Sequence, residues 1–153
     1  MTVLLGIDLG ERRIGVASAD TDSGAVKPLL TLRRGSPQQD AQAIARICHE
    51  RGAQTLVVGL PLSLDGSESE QTISTREWVA TVEPLLDLPV TLRDERLTSV
   101  DAQARMGRTP RGRAGGPPSR AARDAWRARI DREAAAAILQ RELDARARIE
   151  VNR

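Results

Sequence analysis

Residues 55–60, TLVVGL, are apolar without alternation. A run this short and uniform predicts a strand buried on both faces, the habit of a parallel sheet with helices packed on either side. A chain with such a strand needs two covering layers. In 153 residues that means an α/β architecture built as one domain, 1–153.

The remaining segments supply those layers. TVLLGID (2–8) predicts a first buried strand, Gly10 to Arg13 a turn, and IGVASA (14–19) the returning strand of a hairpin, with a third strand near Leu29–Arg33. Ser36 as N-cap, Pro37 at the first helical position and Gln39 as reciprocal partner mark a helix start. Ala41, Ile44, Ala45 and Cys48 share a face of this helix and Gly52 ends it. Ser67 with Glu70 offers a second capping box, ahead of a helix on which Trp78, Val82, Leu85 and Leu86 align. PVTLRDE (89–95) is the next strand, and Thr98 with Asp101 caps a short helix with Leu97, Val100 and Ala104 inward. GRTPRGRAGGPPS (107–119) excludes regular structure and reads as a mobile loop. A last helix carries IDREAAAAILQREL, its start open from Ser119 onward. The order β-β-β-α-β-α-β-α-α gives a mixed sheet with helices on its faces.

No apolar run reaches the roughly 18 residues of a membrane span. MTVLLGIDLGERR lacks a basic stretch ahead of its apolar residues, so it reads as a strand and not a signal peptide. One cysteine, Cys48, and one histidine, His49, leave no internal disulfide and no zinc cluster, and a reduced, cytoplasmic setting is expected. Phe and Tyr are absent and the tryptophans are Trp78 and Trp126, too few for a base-stacking platform.

The net charge of +2 hides an uneven distribution. Between Arg105 and Arg132 nine arginines face only Asp124 and Asp131, so the rest of the chain is net acidic. A single lysine, Lys27, points to a compositional bias for arginine, which accounts for the residue type but less well for the clustering. Such a segment is a candidate footprint for a polyanion.

Three carboxylates stand at otherwise buried boundaries: Asp8 and Glu95 at strand ends, and Asp131 on the apolar face of the last helix. Each has a plain structural reading. Asp8 can cap a turn, Glu95 can pair with Arg93 or Arg96, and Asp131 can answer a helix dipole. Asp8 can also belong to a phosphate-and-magnesium site. Together the three acids supply the hard oxygen ligands that magnesium or manganese prefers, and phosphodiester hydrolysis by one or two such ions requires a set of this kind.

GIDLGERRIGVASAD (6–20), VVGLPLSLDGSESEQ (57–71), DERLTS (94–99) and IDREAAAAILQ (130–140) resemble, in order, the four signature blocks of the YqgF/RuvX family. The resemblance covers nearly the whole chain. It implies a ribonuclease H-like fold, with a five-stranded mixed sheet in the order 32145 flanked by helices. It further implies that Asp8, Glu95 and Asp131 are the catalytic, metal-binding acids for Mg2+ or Mn2+. Two activities travel with the family: resolution of Holliday junctions and processing of the 5′ end of pre-16S rRNA. Departures from the pattern are Ala19 for serine, Ser63 for asparagine and Arg129 for lysine; a fourth acid has Asp94, Asp124 and Glu133 as candidates.

The leading expectation is therefore a metal-dependent endonuclease for structured nucleic acid, either branched DNA or pre-16S rRNA. Arg108, Arg111, Arg113, Arg120, Arg123 and Arg129 are the expected contacts to the phosphate backbone. No membrane partner is expected; symmetric cutting of a four-way junction would want a homodimer, whereas trimming an RNA end would not. One rival is a non-catalytic nucleic-acid-binding module of the same fold. The other is an actin-like sugar kinase or ATPase, whose phosphate hairpins also open on GIDLG but which close two related domains around a nucleotide.

Overall fold

A computed structural model describes residues 2–96, 106, 107 and 111–151. The short helix expected at 98–104, and Arg108, lie outside them. Strands β1 (Val3–Leu9), β2 (Arg13–Asp20) and β3 (Val26–Arg33) form an antiparallel meander. Helix α1 (Pro37–Arg51) leads to β4 (Ala53–Leu60), which lies parallel to β1. Helix α2 (Glu70–Val82) leads to β5 (Val90–Asp94), parallel to β4, and helix α3 (Arg120–Val151) ends the described chain. The strand order is β3-β2-β1-β4-β5, the 32145 sheet implied by the sequence blocks. Among the described residues no helix is long and apolar enough to cross a membrane.

Strand alternation divides the interior into two cores. Leu5, Ile7 and Leu9 of β1 join Ile14, Val16, Leu56 and Val58 under α1 and α2. Leu4, Ala17, Ala19 and Val57 point the other way, onto Ala135, Ala136, Ile138 and Leu139 of α3. The unalternating run in β4 is explained by this arrangement, because both of its faces are covered.

Local signals hold where they are self-contained. Ser36 accepts from Gln39 N in a complete capping box, and Gly52 ends α1 in the left-handed conformation at φ 67°. The start of α2 differs from expectation. Its N-cap is Ser69, boxed with Thr72, whereas Ser67 is spent on a turn in which both its N–H and its hydroxyl donate to Asp65. Leu85 also departs from the expected face and is 52% exposed, because the chain tightens into a 3-10 turn over Glu83–Leu85 at Pro84. Strand β3 runs longer than expected and carries Pro28, tolerated at the sheet edge. Residues 111–119 are irregular apart from a 3-10 turn at Arg113–Gly115.

Buried Asp40 ties the α1–α2 layer together. Its carboxylate accepts from Gly35 N at 2.8 Å and from Trp78 Nε1 at 3.1 Å.

The opposite layer depends on small residues. A Cβ built on Gly15 would stand 1.9 Å from the backbone oxygen of Asp131, and one on Gly6 would meet Leu139 at 2.5 Å. The backbone of α3 thus rests directly on the sheet. Gly15→Ala must push the helix outward, and overpacking of this kind costs about 1–3 kcal/mol. Urea unfolding of this variant should show a lowered midpoint with an unchanged slope; a midpoint equal to that of the wild type would refute the close contact.

Candidate active site

Asp8 is the penultimate residue of β1 and shares its face with Leu4 and Gly6. Its cross-strand partner on β2 is Gly15. On the other side Ile7 pairs with Val58, so Gly59 follows beside Asp8 on β4. The two glycines admit different groups: the backbone of Asp131 closes over Gly15, whereas the Glu95 carboxyl and Ile138 lie over Gly59. Glu95 enters this space from just beyond β5, where its N–H donates to Leu60 O at 3.1 Å. A Cβ on Gly59 would lie 2.6 Å from Glu95 Oε2, so only glycine there lets Glu95 reach inward.

Asp8 and Glu95 meet. Glu95 is buried, Asp8 is half-buried, and Glu95 donates a hydrogen bond to the Asp8 carboxylate. Burial holds Glu95 well above the usual carboxyl range, the charge of Asp8 pushes it further, and the nearby Arg141 guanidinium opposes the shift. Burial also raises Asp8; the hydrogen bond from Glu95 pulls it down, and the charge of Asp131 pushes it up. The pair therefore shares one proton, which resides on Glu95.

Asp131 projects from α3 toward Asp8 but is engaged elsewhere, accepting from Arg13 Nε at 2.9 Å. Burial raises its carboxyl and Arg13 counteracts that. Because α3 begins at Arg120, capped by the Ser119 hydroxyl, Asp131 lies about three turns inside the helix, beyond the reach of the helix dipole. The pairing alternatives for Glu95 are also spent: Arg93 bonds Glu142 and Arg96 bonds Asp94. That second contact occupies one of the candidate fourth acids.

The structure thus joins two of the three acids and sets the third beside them. Among the described residues no three His, Cys, Asp or Glu side chains are gathered closely enough to hold a metal ion. The donor set of Asp8 and Glu95 nevertheless fits a hard divalent cation, since these are two oxygen donors in contact, shielded from water, with a proton where a cation would serve. Asp131 fits as a further ligand once its carboxylate leaves Arg13.

Arg111, Arg120, Arg123 and Arg129 are exposed, and Arg113 lies in the 3-10 turn. Sequence reasoning missed Arg13 and Arg141, cations whose charge acts on Asp131 and Glu95. The hairpin signal held a clue to Arg13, which opens the strand returning past Asp8.

A family model described as "RuvX: Holliday junction resolvase" matches residues 2–145. A protein of Chloroflexus aggregans is 38% identical over 143 residues, covering 94% of both chains. One of Synechococcus elongatus is 41% identical over 143 residues, covering 92% of this chain and 87% of its own. Both bear the name "Putative pre-16S rRNA nuclease". Among solved structures, Thermus thermophilus RuvC in complex with a Holliday junction substrate has a similar fold, with a TM-score of 0.56 at 13% identity over 96% of each chain.

The carboxyl pair has a measurable cost. Both groups bind protons more tightly in the folded than in the unfolded chain, so in the metal-free protein stability falls as pH rises from about 4 through neutrality. Asp8→Asn removes one charge. In EDTA near neutral pH it should raise the thermal midpoint by on the order of 5 °C and flatten the pH dependence. Calorimetry across that range checks this, and an equal or lower midpoint would contradict the repulsion.

Proposed function

The chain belongs to the RuvX family, and on that premise we propose that it is a divalent-metal-dependent endonuclease that hydrolyses phosphodiester bonds in structured nucleic acid, with a pre-16S rRNA leader as its substrate. The observation that carries this reading is the contact between the Asp8 and Glu95 carboxyls, with Asp131 set beside them on α3. A fold gains nothing in stability from gathering acids this way. Choice of the RNA leader rests on the names of relatives that match over most of their length.

In this reading Asp8, Glu95 and Asp131 are the ligands for one or two Mg2+ or Mn2+ ions. Bound there, such ions supply an activated water and stabilise the leaving oxygen. The chain's own groups prepare the place. Glu95 gives up the proton it shares with Asp8, freeing both carboxylates to bind. Arg13 neutralises Asp131 until its carboxylate turns to join them, and Arg141 limits the charge that accumulates around Glu95. Arg111, Arg113, Arg120, Arg123 and Arg129, with Arg108, contact phosphates and orient the substrate without reading bases.

The test is a cleavage assay with Mg2+ and, separately, with Mn2+, on a pre-16S leader RNA, a four-way DNA junction and a linear duplex. Wild type is expected to cut the leader, and Asp8→Asn to cut it at least about a thousandfold more slowly while retaining binding. Asp8-dependent cutting of the junction alone would make the chain a resolvase. Binding without cleavage in either metal would make it the non-catalytic module.

A further inference from the structure

We infer that the trough between the β2–β3 end of the sheet and the first turns of α3 is a phosphate-backbone groove that leads a nucleic-acid strand to the carboxylates, with Arg12, Arg33 and Arg120 as its contact residues. The inference rests on the nuclease reading above and adds a binding path to it. The trough encloses about 870 Å3, and its walls carry five arginines (12, 13, 33, 34 and 120) against two acids, Glu11 and Asp124. A second hollow of about 440 Å3 shares Glu11, Arg12 and Arg13 with it and continues to Arg127 and Asp131. The two form one path that ends beside the candidate site.

The arrangement of charge points to an anion. Arg13 and Arg33 are direct cross-strand partners, a like-charge juxtaposition that weakens a sheet. Arg13 is neutralised by Asp131. Among the described residues Arg12, Arg33 and Arg120 make no ion pair, and all three are exposed. The framework around them is held firmly. Arg34 donates to Gly10 O at 2.7 Å, its N–H reaches Arg12 O at 2.9 Å, and Thr31 Oγ1 donates to Ala128 O at 2.7 Å, fastening β3 to α3. Exposed guanidinium groups on a fixed frame, with no aromatic residue lining the walls, match phosphate oxygens and offer bases nothing to stack on. Of the six arginines that the sequence singled out, Arg120 lines this trough.

The test uses the Asp8→Asn protein in EDTA, so that binding is read without cleavage. Fluorescence anisotropy would follow a labelled pre-16S leader RNA and a labelled four-way DNA junction between about 50 and 200 mM salt. Adding Arg33→Ala and Arg120→Ala should weaken binding about tenfold and lower the slope of log affinity against log salt by about 2. Adding Asp124→Asn should tighten binding about twofold, a gain that damage to the fold would not produce. A charge-matched control, Lys27→Ala with Arg51→Ala, alters a separate hollow between β2 and the end of α1 and should change neither affinity nor slope. Groove variants that bind like their parent, or a control that loses as much, would overturn the groove; Asp8-dependent cleavage would then still support the nuclease reading. A parent protein that binds neither probe would overturn both.

Discussion

The direct contact between the backbone of α3 and the sheet governs the geometry of everything else in this molecule. Gly15 meets the peptide of Asp131 with no room for a methyl group, Gly6 receives Leu139, and Ala135 and Ala136 lie flat on Ala17 and Ala19. Larger side chains on either surface would push the helix away from the sheet. The contact is built from small residues and individually weak dispersion terms, so its strength lies in the number of atoms packed. It carries Asp131 to the space above Asp8, which an ordinary leucine-lined helix–sheet interface would not do.

Charge balance follows from the same layout. α3 delivers cations and anions together: Glu142, buried, receives Arg93 and Arg146, while Arg141 faces Glu95 and Asp131 receives Arg13. Most buried charge is thereby answered within the chain. Asp8 and Glu95 are held together by a proton and raised by burial and mutual repulsion, which Arg141 opposes at Glu95. Two carboxyls that share one proton supply oxygen donors of the kind a hard divalent cation takes, and exposed arginines line the trough that leads towards them.

Sequence legibility follows the range of the interaction concerned. The Ser36–Gln39 box and the Gly52 cap need only neighbouring residues, and both appear as read. The α2 cap moved from Ser67 to Ser69 because Asp65 competes for Ser67, and two plausible serines two residues apart cannot be ranked without the turn. Leu85 matched the apolar face of α2, but Pro84 tightened the backbone before the period could continue. Nothing local marks Asp40 as buried, since an acid in a first helical turn is ordinary. Its burial is decided by Trp78, thirty-eight residues away.

From the chain alone came the covered, mixed sheet, the family blocks and the three acids, because apolar periodicity and short motifs are written in contiguous residues. Tertiary structure alone decided how those acids relate. Asp8 joins Glu95 because Gly59, beside Asp8 on the neighbouring strand, leaves bare the space that the Glu95 carboxyl enters. Asp131 turns to Arg13 because β2 returns past β1 within reach of α3. The basic trough likewise exists only once Arg12, Arg33 and Arg120, from three separated segments, face one hollow. Local sequence encodes which groups are present, whereas their distances, and so their charge states, depend on the packing of elements far apart in the chain.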